Sequence, residues 1–275
     1  MAILRIYGDE AGTMPLDDNE DVFVTATVSI LGDHLLINKP NGHLQWLIDQ
    51  FKALHAVPFV AFIKPIPGYG KRIKQKLDKM NTMARMSRLM TGRNSQYLTE
   101  EGLPLRNYIW VHCMSLSIAL ATFKGGIIRK YIDKVDILLD QKTMAVPSRN
   151  LLKNLIRKAP STLGEVLNQA KRRFDPQQVK EFESRLKFSQ DTISLTWSDE
   201  IDNPSSKGGL YLAHYLASHY CKELKQSNNP AIKLLLSQIG FPNADIELTD
   251  RITSIDPRAI REWEINTGLR EPEVV

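Results

Sequence analysis

Apolar and polar residues alternate along ILRIYGD, residues 3–9, and again along DVFVTATVSI, residues 21–30, where β-branched residues are frequent. A period of two predicts two strands. Their connection holds Pro15, Asp17, Asp18 and Asn19 and has the composition of a turn, so the strands are expected to pair antiparallel. The first strand is expected to stop at Glu10-Ala11-Gly12-Thr13. After Asn41-Gly42 the period changes. Leu44, Leu47, Ile48, Phe51 and Leu54 recur at helical spacing, and VPFVAFIKP at 57–65 predicts a third strand, ended by Pro65 and Pro67.

Further along, a helix is predicted from Lys71 to about Met90, with Ile73, Leu77, Met80 and Met83 or Ala84 on one face. A second helix at 105–124 is apolar enough through VHCMSLSIALA to be the central buried one, with Gly125-Gly126 as its stop. VDILLD at 135–140 has the form of a buried central strand ended by an aspartate. Two helices follow at about 147–172 and 176–187, the second capped by Asp175 with Pro176 in its first turn. TISLTW at 192–197 is the last clear strand, and the loop SDEIDNPSSKGG leads into an amphipathic helix, LYLAHYLASHYCKEL. Beyond about 226 a short helix at 230–239 and a helix start at Asp256-Pro257 suggest a C-terminal helical appendage over 226–275. Neither an internal repeat nor a low-complexity tract interrupts this order.

Composition narrows the class. The chain of 275 residues is 43% hydrophobic, enough for a sizeable core. It has no apolar run of the roughly 18 residues that would span a bilayer and no leader-like start, so a cytoplasmic protein without membrane contact is expected. Cys113 and Cys221 lie far apart in apolar surroundings, which suggests core residues rather than a disulfide or a metal-ligand spacing. The net charge of +5 is unevenly spread. Between Lys64 and Arg93 nine basic residues stand against the single acid Asp78, a net +8 that leaves −3 for the rest. Lys71, Arg72, Lys74, Lys76 and Lys79 are the densest part of this insertion, at about 66–95, and predict a surface for a nucleic-acid backbone or an acidic protein partner. A P-loop is absent, since Gly68-Tyr69-Gly70-Lys71 is too short, so nucleoside triphosphate hydrolysis is not expected. No serine or cysteine occupies a nucleophile elbow.

The element order, an antiparallel meander followed by strands reached through helical crossovers, is that of a ribonuclease-H-like mixed α/β sheet with helices on both faces, here over residues 1–225. In such a sheet Asp9 and Asp140 fall at neighbouring carboxyl ends. Two carboxylates brought together from distant sequence repel unless a cation neutralises them, which is the usual signature of a metal site, and magnesium or manganese would suit oxygen ligands. Glu10, next to Asp9 in a pleated strand, would face away from it and act from behind the site.

The YGDEAGT turn, FVTATVSI, ILLDQK and the late SDEIDNPSSKGGLYLAHYLA segment together resemble the bacterial family of unknown function catalogued as DUF 3800, over roughly residues 3–220. The family's Asp-Glu-Ser-Gly turn is matched with Ala11 in place of Ser, and its late Gln-x-x-Asp is replaced by Tyr211 and His214. The resemblance implies a ribonuclease-H-like fold, and together with the carboxylates it makes a divalent-metal-dependent nuclease the leading expectation, with Asp9, Asp140 and His214 binding metal and Glu10 positioning water or metal from behind them. Histidine at 214 fits either a ligand or general base, or a site that has lost turnover. In the second case the chain would be a non-catalytic nucleic-acid-binding or protein-interaction subunit of a multi-protein bacterial, conceivably phage-defence, assembly. Asp199, Glu200 and Asp202 could add a third carboxylate or could be acids gathered at a helix start.

Overall fold

The computed structural model describes residues 3–14, 21–32, 43–64, 67–68, 132–140, 193–201 and 207–226, individual positions within 70–90 and 107–121, residues 149–150, 152–153 and 177, and the backbone of 245–247. The expected helices at 147–172 and 176–187 lie mostly outside these residues, and the short helix at 230–239 and the Asp256-Pro257 start lie wholly outside them.

The chain forms a mixed α/β structure around one sheet. Its strands are β1 (Ile3–Gly12), β2 (Phe23–Leu31), β3 (Val57–Ile63), β4 (Lys134–Leu139), β5 (Ile193–Trp197) and β6 (Asp245–Glu247), in the order β5-β4-β1-β2-β3-β6. β1, β2 and β3 pair antiparallel, while β4 lies parallel to β1, β5 parallel to β4, and β6 parallel to β3. Three residues are too few to give β6 a sequence period, and it escaped the sequence reading for that reason.

The side-chain alternation of β1 assigns its two faces. Leu4 and Ile6 point to one side, with Val135, Ile137, Leu139 and Trp197, and pack against the central helical residues Ile109, Trp110, Met114 and Ile118. Tyr7 points to the other side, with Val24, Ala26, Val28 and Leu138, beneath α1 (Leu44–Ala53) and α2 (Gly208–Lys225). Helices therefore cover both faces. β2 also sends three hydroxyls into the first face. Thr25, Thr27 and Ser29 donate to the carbonyls of Ala61, Phe59 and Val57, so these buried polar groups are satisfied on the neighbouring strand. Cys113 and Cys221 are both buried, as expected, and burial pushes both thiols up. Among the described residues no helix is long and apolar enough to cross a membrane.

Two of the boundaries that differ from the sequence expectation bear on the site. β1 does not stop at Glu10. Its pairing with β4 ends at Gly8 opposite Leu139, but its pairing with β2 runs on to Gly12 opposite Phe23. Gly12 ends the strand at φ +85, with the Val22 carbonyl oxygen 1.9 Å from where a Cβ would stand, so only glycine fits. The late helix begins two residues early, because Gly208 and Gly209 are its first turn rather than part of the loop. A Cβ on Gly209 would lie 2.3 Å from the Tyr7 ring, so the missing side chain lets α2 close onto β1.

At the amino end of the parallel strands, Arg5 is buried and its Nη1 donates to Asp136 at 2.9 Å, while Lys134 reaches the same carboxylate at 2.8 Å and the Ser194 hydroxyl also donates to it. Burial works against the charged form of Asp136. The hydrogen bonds of Lys134 and Ser194, with the charges of Lys134 and Arg5, outweigh it and hold the carboxyl below its usual range.

Two outcomes follow. Gly209→Ala, which ordinarily favours a helix, is expected to destabilise by about 1–3 kcal/mol through overpacking on Tyr7, measured by urea unfolding. A carboxyl held below its ordinary value adds stability that is complete above about pH 4 and is lost as pH falls through the lowered value. The wild-type urea midpoint should therefore drop in that acid range, and Asp136→Asn should lower the midpoint at neutral pH while flattening the acid dependence.

Candidate functional site

Among the described residues, the carboxyl end of β1 has a strand neighbour on one side only. Past Gly8 it keeps β2 as a neighbour but no longer has β4, and β1 and β4 are parallel strands whose chains leave in opposite directions across the sheet. A crevice outside the strand ends at such a reversal is where α/β sheets generally place ligands.

Asp9 and Glu10 are the first residues beyond that point, and the pleat sends them to opposite faces. Asp9 points toward α2 and is only 4% exposed. Its Oδ1 accepts the backbone N–H of Glu10 at 2.7 Å, and its Oδ2 lies 2.8 Å from Nδ1 of His214. The imidazole thus turns one edge to a buried carboxylate while its side chain remains 55% exposed. A carboxylate on one ring nitrogen fixes the orientation of a histidine.

Asp140 follows β4 directly. Its backbone N–H donates to the Gly8 carbonyl at 3.1 Å, which extends the parallel ladder by one step and sets Asp140 beside Asp9 in register. Its Oδ1 accepts the Ser198 hydroxyl at 2.9 Å, from the short 3-10 turn Ser198–Glu200 that ends β5. Asp9 and His214 are therefore in direct contact, and Asp140 is on the adjoining strand end, anchored to β5. Among the described residues no group of three or more His, Cys, Asp or Glu side chains is gathered as for a metal ion.

Glu10 is buried on the opposite face, where its Oε2 accepts the indole N–H of Trp110 at 2.8 Å. Trp110 stacks on Trp197 with ring centroids 6.1 Å apart, and the Arg149 guanidinium lies 4.7 Å from the centre of the Trp197 ring. Arg149 in turn pairs with Asp199 at 3.1 Å and lies 3.9 Å from Glu200. Glu200 closes its own turn by accepting the Trp197 backbone N–H at 3.2 Å. The acids Asp199 and Glu200 thus serve to fold the turn that carries Ser198. Asp202 lies outside the described residues.

The sequence reading had no signal for this run of contacts. Trp110, Trp197 and Arg149 are brought together from three distant segments, and the only hint was a tryptophan at a strand end.

Of the basic residues, Lys71 and Lys74 are exposed and Arg72 is half-buried, with Nη1 donating to the Pro67 carbonyl at 2.8 Å. Lys76 and Lys79 lie outside the described residues. Ile63, at the end of β3, pairs with Phe23, which pairs with Gly12. The basic segment therefore departs from the same edge of the sheet at which Asp9 stands.

No family model matches the chain, and neither a curated protein nor a solved structure shows significant similarity to it.

Replacing Glu10 tests its place behind the site. Glu10→Ala leaves the buried Trp110 N–H without this acceptor and is expected to cost about 1–3 kcal/mol in urea unfolding, with a change in near-ultraviolet circular dichroism from the stacked tryptophans. Glu10→Gln keeps a carbonyl oxygen and should retain most of both.

Proposed function

We propose that this chain is a ribonuclease-H-like nuclease that hydrolyses phosphodiester bonds of nucleic acid with a magnesium or manganese ion, using Asp9, Asp140 and His214. The observation that carries the reading is the Asp9–His214 contact at 2.8 Å, formed where β1 parts from β4 and next to Asp140. The strand order β5-β4-β1-β2-β3, an antiparallel meander joined to parallel strands, supports the ribonuclease-H-like assignment. The motif likeness to DUF 3800 supports it too, with the departures at Ala11 and His214 noted above.

The donors suit such an ion. Magnesium commonly uses only one or two protein carboxylates, with water and phosphate oxygens in its other positions, and Asp9 and Asp140 supply two. When bound, the ion would activate water and offset charge on the phosphate. The chain's own residues do the rest. Asp9 orients the His214 ring and holds a proton at Nδ1, Ser198 fixes the Asp140 carboxylate, and Glu10 secures the far side of β1 through Trp110. The basic segment from Lys71 draws the phosphate backbone toward this edge.

A second reading is favoured by the same contact. If His214 simply neutralises Asp9, the chain would be a subunit that binds nucleic acid or a protein partner without turnover.

The deciding assay uses purified full-length protein with magnesium or manganese and single- and double-stranded DNA and RNA. Cleavage is expected with wild type, background for Asp9→Asn, and a loss of about 10²–10⁴-fold for His214→Ala, the range of a lost proton-transfer group. Equal background for all three proteins, with salt-dependent binding retained, would establish the non-catalytic reading instead.

A further inference from the structure

Five large hydrophobic residues are exposed among the described positions, Leu31, Met86, Leu89, Met90 and Tyr211, and Tyr211 is the aromatic one. It precedes His214 by three residues and Tyr215 by four, spacings that place all three on neighbouring parts of the α2 surface. The sheet-facing side of α2 is already filled by Leu210, Leu212, Ala213, Leu216, Ala217 and Tyr220. Tyr211, 41% exposed, is thus an aromatic ring that the core does not require.

The rings beside it are held in place. Tyr215 meets Trp46 of α1 edge to face at 5.8 Å, and meets the His214 ring edge to face at 5.4 Å. Trp46 and Tyr215 are both half-buried. A ridge of aromatic surface therefore runs along α2 into α1, and the imidazole that touches Asp9 lies within it.

Building on the nuclease reading above, we infer that the site takes single-stranded nucleic acid, with unpaired bases stacking on the Tyr211–Tyr215–Trp46 ridge beside the Asp9–His214 pair. Aromatic faces next to a basic surface are how proteins hold single strands without reading sequence, because every base has a π-face. A duplex buries those faces in its own stack and offers the ridge only its backbone. The charge of the chain points the same way. Lys64, the first of the basic residues, lies over the Phe62 ring, which packs on Tyr220 of α2, so positive charge stands against the helix that carries the ridge.

The test measures binding in metal-free buffer, where hydrolysis does not interfere. Full-length wild type is titrated into labelled oligonucleotides of about 16 nucleotides, the upper site size for such surfaces. The probes are single-stranded DNA, single-stranded RNA, duplex DNA and an abasic strand with the same number of phosphates. Both single strands should bind about tenfold tighter than the abasic strand, the effect expected of one stacked base. Duplex DNA should also bind less tightly than either single strand. Tyr211→Ala should lose that tenfold on base-bearing strands and nothing on the abasic strand, and Tyr211→Trp should restore it. The restoring variant separates loss of stacking from loss of folding. Equal affinity for abasic and base-bearing strands, preference for duplex, an unchanged Tyr211→Ala, or no retention of any oligonucleotide at low salt would each overturn the inference. Base-dependent binding without cleavage in magnesium would leave it standing and remove only the nuclease reading. Cleavage with no base dependence would do the reverse.

Discussion

The close approach of α2 to β1 is the constraint on which the candidate site depends. The helix and the strand run in the same direction and touch at three places: Gly209 over Tyr7, His214 on Asp9, and Cys221 by Gly12. These contacts keep step because the spacings match. Five helical residues from Gly209 to His214 advance about 7.5 Å and two strand residues from Tyr7 to Asp9 about 6.7 Å. Seven helical residues from His214 to Cys221 advance about 10.5 Å, against about 10 Å for the three strand residues from Asp9 to Gly12. A side chain at 209 would meet the Tyr7 ring and force the two elements apart, and His214 would lift from the carboxylate, whereas one at 12 would meet the Val22 carbonyl first. Gly209 is therefore part of what positions the histidine, although it does not touch it.

The same strand divides its duties between two faces. Asp9 faces α2 and meets a half-exposed ring, so it stands where solvent and ligands can reach its partner. Glu10 faces the central helical residues and meets an indole N–H in the interior. From Glu10 the contacts continue through Trp110, Trp197 and Arg149 to the turn whose Ser198 bonds Asp140. The two aspartates are thereby fixed from different directions, Asp9 from the helix above and Asp140 from the strand beside it. Neighbouring acids in sequence end up as parts of one arrangement without sharing a surface.

β1 and β2 were legible in the sequence through their period of two and β4 as a short apolar run ended by an aspartate, and the placement of Asp9 and Asp140 at adjacent strand ends followed from element order. The split between Asp9 and Glu10 followed from the pleat. What could not be read was where alternation stops having meaning. Glu10 to Gly12 read as the strand's stop because so short a mixed run shows no alternation, whether the strand there is paired on one side or on neither. Gly208-Gly209 read as loop, since glycine disfavours helix in general and only the Tyr7 ring explains it here. The contacts of Arg149 with Trp197 and Asp199 depend on residues some 50 positions apart, for which no local period exists.

The two ends of the parallel strands differ in how their charge is balanced. At the amino end, Asp136 has two cations, Arg5 and Lys134, within 2.9 Å. At the carboxyl end, Asp9 meets an imidazole and Asp140 a hydroxyl. A hydroxyl stabilises a carboxylate without neutralising it, and an imidazole neutralises one only while protonated. A fold that needed only stability at this edge could have used the Arg5–Asp136 solution twice, since Asp9 is four residues along the same face of the same strand. The partner of Asp9 is instead a half-exposed ring whose charge depends on its protonation. This difference between the ends, more than any single contact, is the physical ground for looking for chemistry at Asp9.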